Sequence, residues 1–338
     1  MTHKKKRIFL RVDGDHGINS GLGHVYRSLR IYFFLKKKFN KSHDFYFISK
    51  NYKVGINIIK KTNEKVLIFN QNFLKNFIFN KDDKIIIDTL GVEKKLLIKL
   101  KFNDVKKILS FDDLNNSLYK KAIIINGIYF AKKIIKSKNK NIKIYQDPKY
   151  ILLDEEFKVK KKINFNNKIL VTSGGADKHN YLFSISKILL NSDLKNLKIY
   201  VLIGKGVKKD NPIFKLKNNK NVLLIKNAER IKKYLDICGF VIASGGTVMF
   251  EAIASGRVTM IKKTYQHQKY AINYFKKLNL ISELSENKKK MKEQLIKKIK
   301  LINQNTILVD KIFKRNIQKI DGKGFDRIKK ILNNYIRL

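Results

Sequence analysis

The feature that most restricts the fold of this sequence is a regular alternation of short apolar runs with longer amphipathic segments. In the first half of the chain the apolar runs cover residues 8–12, 45–48, 66–69, 85–88, 108–111 and 123–125. Continuous runs of this length are typical of parallel strands that are buried on both faces, and the segments between them can form crossover helices. The pattern predicts an α/β fold with a doubly wound parallel sheet.

The same alternation begins again in the second half of the chain. Further strands are expected at 168–172, 199–203, 222–225, 240–243 and 258–261. A polar, lysine-rich passage around Pro148 separates the two series, and we interpret it as the connection between two domains. We expect an N-terminal Rossmann-like domain over 1–150 and a C-terminal one over 165–320. A terminal helix over 321–338 is expected to pack back on the N-terminal domain.

The formal charge of +48 could indicate a nucleic-acid partner, but the lysines are spread along the entire chain. We find no zinc-ligand spacing and no RNA-binding signature, so no nucleic-acid partner is expected; a weak attraction to anionic lipid remains an alternative. No apolar stretch approaches the roughly 18 residues of a membrane span. The apolar run near Met1 is too short for a signal peptide, and Cys238 is the single cysteine. A cytoplasmic protein is expected.

A glycine-rich loop between the first predicted strand and the following helix is the first candidate site. It contains Gly21 and Gly23, and His24 stands where the helix begins. Glycines allow a ligand to approach the backbone, the helix amino end favours an anion, and a histidine can transfer protons near neutral pH. The alternative is that the glycines only turn the chain and that His24 packs in the core or caps the helix. Acidic residues at strand ends, Asp88 and Asp112-Asp113, are further candidates for a site or for simple turns.

The second half contains two loops with paired glycines, each directly after a predicted strand. The first contains Gly174 and Gly175, with Asn180 beyond them, and the second contains Gly245, Gly246 and Thr247. Each pair offers backbone amides and a helix amino end to a diphosphate. Glu251 follows one helical turn after Thr247, where a carboxylate could accept hydrogen bonds from a ribose. We expect nucleotide binding, the alternative being tight strand–helix turns.

Together these residues resemble a known family, the UDP-sugar hydrolases of pseudaminic acid synthesis. The resemblance extends from about residue 7 to residue 280, and its most specific part is the Gly21-Leu-Gly-His-x-x-Arg27 loop combined with Gly245-Gly-Thr and the following Glu251. It also includes Asp13, Phe111-Asp112-Asp113-Leu114, Tyr150, Leu153, Glu156-Phe157, Gly174-Gly175, Asp177, Asn180 and Gln268.

The resemblance implies two Rossmann-like domains that face each other across a cleft, the glycosyltransferase-B architecture. This architecture is shared with the lipid-II-forming N-acetylglucosaminyltransferase of glycosyltransferase family 28 and with spore-coat polysaccharide proteins. It implies His24 as the catalytic base, assisted by Asp13, with Gly21, Gly23 and Arg27 on the substrate. In the C-terminal domain it implies Gly174, Gly175, Asn180, Gly245, Gly246, Thr247, Glu251 and Gln268 as substrate-binding residues. The uracil would lie against residues 222–228.

The implied reaction is hydrolysis of a UDP-diacetamido-trideoxyhexose to UDP and free sugar, with no metal and no cofactor. The sequence departs from the family pattern at two places: the segment from Asp13 to Gly21 is about two residues longer, and His267 replaces an Asn. The longer segment borders the sugar pocket, so it bears on the identity of the sugar. Two alternatives remain open. One is a glycosyltransferase that uses the same UDP-sugar pocket, and the other is a noncatalytic nucleotide-sugar binding protein. The oligomeric state does not follow from the sequence.

Overall fold

The computed structural model describes residues 5–15, 22–89, 93–102, 105, 108–111, 121–127, 140–163, 166–177, 179–194, 196–226, 228 and 230–337. The chain divides into two compact units. The N-terminal unit comprises Met1–Leu152 with Asp326–Leu338, and the C-terminal unit comprises Leu153–Phe325.

A parallel sheet forms the centre of the N-terminal unit. Over the described residues its strands are β1 (Lys6–Val12), β2 (His43–Ser49), β3 (Lys65–Ile68), β4 (Lys84–Asp88), β5 (Ile108–Phe111), β6 (Ala122–Asn126) and β7 (Ile142–Gln146). They lie in the order β3-β2-β1-β4-β5-β6-β7, and every pairing is parallel. The helices α1 (Gly23–Phe39), α2 (Lys53–Lys60), α3 (Gln71–Asn76) and α4 (Lys94–Phe102) lie between the first five strands in the sequence.

Both faces of this sheet are covered, which explains why its strands are continuously apolar. Phe9, Ile85 and Ile87 are buried in one hydrophobic cluster with residues of α3 and α4. Leu10 and Ile86 alternate with them along the strands and are also almost fully buried. Since successive strand residues point to opposite faces, a sheet with helices on both sides requires apolar residues at every position.

The C-terminal unit repeats this plan. Over the described residues its strands are β8 (Lys168–Thr172), β9 (Lys198–Ile203), β10 (Val222–Lys226), β11 (Phe240–Ser244), β12 (Val258–Lys262) and β13 (Ser282–Glu283), in the order β10-β9-β8-β11-β12-β13. All pairings are again parallel. The helices are α5 (Tyr181–Leu190), α6 (Lys232–Leu235), α7 (Thr247–Ala254), α8 (Lys269–Lys277), α9 (Lys288–Gln304) and α10 (Thr306–Lys319).

These two doubly wound parallel sheets confirm the predicted fold class. Two strands, β7 and β13, were not predicted from the sequence, for different reasons. In β7, the run Ile-Lys-Ile-Tyr-Gln lies at a sheet edge and is only partly buried, so it lacks a continuous apolar signal. In β13, two residues are too few to produce a pattern.

The last helix, α11 (Gly324–Arg337), packs on the N-terminal unit. Its buried residues Ile328, Leu332 and Tyr335 recur at helical spacing. The hydroxyl of Tyr335 accepts a hydrogen bond from the backbone N–H of Ile85 at 2.8 Å and donates one to the carbonyl of Ile85 at 2.9 Å. One buried hydroxyl therefore satisfies two backbone groups of β4. Within the described residues, no helix has the length and apolar character needed to cross a membrane.

We predict that Tyr335→Phe lowers the free energy of unfolding by about 1–3 kcal/mol, because it removes two buried hydrogen bonds between the Tyr335 hydroxyl and the backbone of Ile85. Chemical denaturation of the purified protein measures this change. Tyr26→Phe is the control, since that side chain is 46% exposed. Equal effects of the two substitutions would show that the Tyr335 hydroxyl does not secure α11.

Candidate functional site

In each sheet the candidate residues lie where the strand order reverses. In the N-terminal unit β1 lies beside β4, and in the C-terminal unit β8 lies beside β11. At these positions the strand order reverses, so the connections that follow the two strands leave in opposite directions. This opens a crevice at the carboxyl ends of the strands, where doubly wound proteins bind their ligands.

A cluster of three side chains occupies the crevice of the N-terminal unit. His24 is the second residue of α1, and Asp88 is the last residue of β4. Nδ1 of His24 lies 2.6 Å from Oδ1 of Asp88. Nε of Arg27 donates to Oδ2 of Asp88 at 2.7 Å, and a terminal nitrogen of Arg27 donates to Oδ1. The spacing of three residues between His24 and Arg27 places both on the helix face that meets Asp88.

The charge of Asp88 determines which nitrogen of His24 carries the proton. Asp88 is fully buried, and burial alone would raise its pKa. The charge and hydrogen bonds of Arg27, with a further contribution from His24, outweigh burial and lower the pKa of Asp88 to about 2. An ionised carboxylate only accepts, so Nδ1 of His24 is the donor, and Nε2 is the acceptor nitrogen of a neutral ring. The His24 side chain is 14% exposed, so the ring keeps contact with solvent.

Asp13 has other partners. Its carboxylate accepts hydrogen bonds from the guanidinium of Arg11 at 2.6 and 2.7 Å and from the backbone N–H of Lys50 at 2.8 Å. Arg11 and Asp13 are two residues apart along extended backbone, where side chains share a face. The carboxylate that holds His24 is Asp88, whereas the sequence analysis assigned assistance to Asp13. A role for Asp13 in the reaction stays a prediction.

The glycine loops of the C-terminal unit pack closely against one another. Gly174 has φ +78°, and a Cβ there would lie 3.3 Å from Oγ of Ser244, at the end of β11. The carbonyl of Gly175 accepts a hydrogen bond from Gly206 at 2.8 Å. A Cβ on Gly204 would lie 2.1 Å from the carbonyl oxygen of Gly174. Only glycine fits at Gly204, and the loops after β8, β9 and β11 therefore form one continuous backbone surface.

The amino end of α7 follows directly after β11 and lies next to these glycine loops. Gly246 is its N-cap, and no side chain in the described part of the chain caps it. Thr247, the first helical residue, is exposed. Ser173, at the end of β8, is buried, and its hydroxyl has no hydrogen-bond partner among the described residues. Free helix amides and an unsatisfied hydroxyl are suited to bind phosphate oxygens. Glu251 lies one turn further along α7 and is half-buried.

Two predicted binding residues use their polar atoms within the protein. Oδ1 of Asn180 accepts a hydrogen bond from Asn211 at 3.1 Å. Oε1 of Gln268 accepts from the backbone N–H and hydroxyl of Thr264, at 3.0 and 3.1 Å, and from the N–H of Tyr265. Asp177 caps α5 by accepting from the N–H groups of Tyr181 and Leu182. The side chains of Asn180, Gln268 and Asp177 therefore hold the loops around them in place through these hydrogen bonds.

Gly21 and Asp112-Asp113 lie outside the described residues. The segment expected to hold a uracil borders a groove of about 620 Å³ beside the end of β10, lined among others by Ile225, Lys226, Arg230 and Tyr234. In the part of the chain that the structure describes, no group of three or more His, Cys, Asp or Glu side chains is arranged to hold a metal ion.

No protein-family model matches the chain. It is 30% identical over 288 residues to the uncharacterized protein MJ1062 of Methanocaldococcus jannaschii, which covers 78% of this chain and 58% of that protein. The chain thus spans less than two thirds of that relative. It is 24% identical over 336 residues to the spore coat polysaccharide biosynthesis protein SpsG of Bacillus subtilis, covering 95% of this chain and 96% of SpsG.

Among solved structures, MurG of Acinetobacter baumannii matches with a TM-score of 0.63 and 12% identity, over 97% of this chain and 99% of MurG. A putative UDP-N-acetylglucosamine 2-epimerase of Listeria monocytogenes matches with a TM-score of 0.60 and 9% identity, over 99% and 97% of the two chains. The pneumococcal O-GlcNAc transferase GtfA, solved with UDP and GlcNAc, has a TM-score of 0.56 and 10% identity, over 99% and 100%. At these identities the matches define the fold, which is that of the glycosyltransferase-B enzymes.

We predict that Asp88→Asn destabilises the protein by about 2–3 kcal/mol at neutral pH, because it leaves the largely buried guanidinium of Arg27 without its counter-charge. The folded pKa of Asp88, about 2, lies below its ordinary value of 3.8. The stabilisation is therefore complete above about pH 4 and is lost as the pH falls through about 2. Denaturant midpoints at several pH values should show the gap between wild type and variant closing toward pH 2. Asp44→Asn, on a half-exposed pair with Lys5, should have little effect at any pH.

Proposed function

We propose that this protein is an enzyme of glycan synthesis that binds a UDP-sugar and breaks the bond between the anomeric carbon and the diphosphate. Three findings support this. SpsG, similar over nearly its full length, is named for polysaccharide biosynthesis. The structural matches include transferases and an epimerase named for UDP-N-acetylglucosamine. Both crevices of this chain carry groups suited to that chemistry.

The observation that carries the proposal is the hydrogen bond between Nδ1 of His24 and the buried carboxylate of Asp88. It orients the ring and leaves Nε2 to take a proton from a hydroxyl group or from water. As the ring becomes positively charged, the ionised Asp88 stabilises it. Arg27 keeps Asp88 ionised, so the carboxylate does not compete for the transferred proton. His24 therefore acts as the base, and Asp88 and Arg27 position it.

The leaving group is assigned to the C-terminal unit. Negative charge develops on the diphosphate as the bond to the sugar breaks, and amides at the amino end of α7 are fixed in place to stabilise it. Gly245 and Gly246 allow close approach, and the hydroxyls of Ser173 and Thr247 add donors. Glu251 is assigned to the ribose hydroxyls.

We further propose that the sugar is transferred to an acceptor hydroxyl. The transferases among the structural matches favour this alternative over hydrolysis. Hydrolysis of a UDP-diacetamido-trideoxyhexose is the second candidate, and the Gly23-His24-x-x-Arg27 loop combined with Gly245-Gly-Thr favours it. In both reactions His24 is the base; in transfer it takes the proton from an acceptor hydroxyl, and in hydrolysis it takes it from water.

The test measures UDP release from UDP-N-acetylglucosamine and from UDP-diacetamido-trideoxyhexoses, with and without glycan or lipid-linked acceptors. We expect release that requires an acceptor, and release of free sugar without one would identify a hydrolase. His24→Ala should reduce turnover by roughly 10²- to 10⁴-fold while UDP affinity changes little. Lys37→Ala, at an exposed residue of the same helix, is the control. Near-normal turnover of His24→Ala would exclude the assigned base, and UDP binding without any release would indicate a noncatalytic binding protein.

Glu251→Ala should weaken UDP binding by roughly 10-fold or more, because a ribose would lose a charged hydrogen-bond acceptor. Calorimetric titration with UDP measures this effect. Glu286→Ala, a change of the same type at an exposed residue of the same unit, should leave the affinity unchanged. Equal UDP affinity for Glu251→Ala and wild type would remove Glu251 from the ribose site.

A further inference from the structure

At the carboxyl end of α7 one carbonyl accepts a hydrogen bond from a side chain that lies far away in the sequence. The last four carbonyl groups of a helix lack partners within the helix. In α7, the N–H groups of Ser255, Arg257 and Gly256 donate to the carbonyls of residues 251, 252 and 253. The remaining carbonyl, that of Ala254, accepts a hydrogen bond from Nζ of Lys160 at 2.7 Å.

Lys160 belongs to the segment that enters the C-terminal unit, and this segment is held at several points. Nζ of Lys160 also donates to the carbonyl of Phe157 at 2.5 Å. In the opposite direction, the buried guanidinium of Arg257 donates to the carbonyl of Lys161. A Cβ on Gly322 would lie 2.2 Å from the carbonyl oxygen of Phe157, so the chain before α11 packs closely against the same segment. The ammonium group of Lys160 is therefore held in place at the end of α7.

A positive charge at the carboxyl end of α7 changes the electrostatic potential at its amino end. The carboxyl end of a helix carries a partial negative charge and the amino end a partial positive charge. Lys160 offsets the negative end, which strengthens the net positive potential at the amino end. With eight residues α7 is only about 12 Å long, so the charge and an anion at the other end are close enough to interact.

We propose that Lys160 is a positioning residue for the nucleotide: it closes the carboxyl end of α7, and its positive charge tightens the binding of a diphosphate at the amino end. This inference rests on the assignment of that amino end to the diphosphate under the proposed function. It adds a residue that lies outside both glycine loops and touches neither the nucleotide nor the sugar.

The surroundings of Lys160 make its charge sensitive to mildly alkaline pH. Burial lowers the pKa of Lys160 to about 8; Asp321 opposes this by favouring the charged form, and the nearby charges of Lys232 and Lys323 lower the pKa further. Nearby, Lys232 is paired with Asp236, which also lies 3.8 Å from Arg257. The terminal phosphate of UDP loses its last proton mostly below about pH 7, and the uracil N–H ionises only above about pH 9, so the charge of UDP changes little between about pH 7.2 and 8.7 while Lys160 loses its proton.

The test is the dissociation constant for UDP at about pH 7.2 and about pH 8.7 in wild type, Lys160→Arg, Lys160→Met and Lys162→Met. We expect wild type to bind UDP roughly 2- to 5-fold more weakly at the higher pH. Lys160→Arg should remove this pH dependence because arginine keeps its charge, and Lys160→Met should bind weakly at both values. Lys162→Met is the matched control. It removes a charge from the same segment, where Lys162 pairs with Asp310, and should behave as wild type.

A second measurement needs no substitution and covers the case in which a variant folds poorly. If UDP prefers the charged form of Lys160, wild type must take up a fraction of a proton when it binds UDP at pH 8–8.5. Titration calorimetry in buffers of different ionisation enthalpy measures this uptake. UDP binding with no proton uptake and no pH dependence would overturn the role of Lys160 and leave the proposed function intact. Absence of UDP binding at every pH would overturn both.

Discussion

Parallel pairing with crossover helices is the constraint on which the rest of this structure depends. Because each helix must return the chain to the start of the next strand, all carboxyl ends lie at one edge of each sheet. In both units the first and fourth strands become neighbours, and the crevice forms between them. His24 with Asp88 in one unit, and the paired glycines in the other, occur where this topology leaves backbone and polar groups open to a ligand.

The need to neutralise buried charges is the second constraint on this structure. Asp88, Arg11 and Arg257 are almost completely buried, and each lies against a group of opposite charge or a backbone carbonyl. A chain with 75 basic and 27 acidic residues has few carboxylates with which to neutralise interior cations. Because an unpaired buried charge is strongly destabilising, carboxylates such as Asp13 and Asp88 are placed where buried guanidinium groups need them. At Asp88 the same pairing also orients a histidine.

The two units present different groups at equivalent positions. The N-terminal crevice holds a histidine, a carboxylate and a guanidinium, whereas the C-terminal crevice offers mainly backbone amides and hydroxyls. Fixed amides stabilise a leaving diphosphate without moving, and a histidine with an anchored Nδ1 can accept a proton from many acceptors. Under the proposed function, the identity of the acceptor depends on the groups around the base.

The sequence by itself determined the two parallel sheets, most of their strands and the glycine-rich loops that follow β8 and β11, since continuous apolar runs and glycine pairs are local signals. It also indicated His24. It did not show that Asp88, 64 residues away, is the partner of His24, that Gln268 and Asn180 direct their oxygens inward, or that Lys160 closes α7. Those contacts depend on strand register and on segments that meet only after folding. Pairings of this kind, between residues far apart in the chain, leave no periodic pattern in the sequence, so only the tertiary structure decided them.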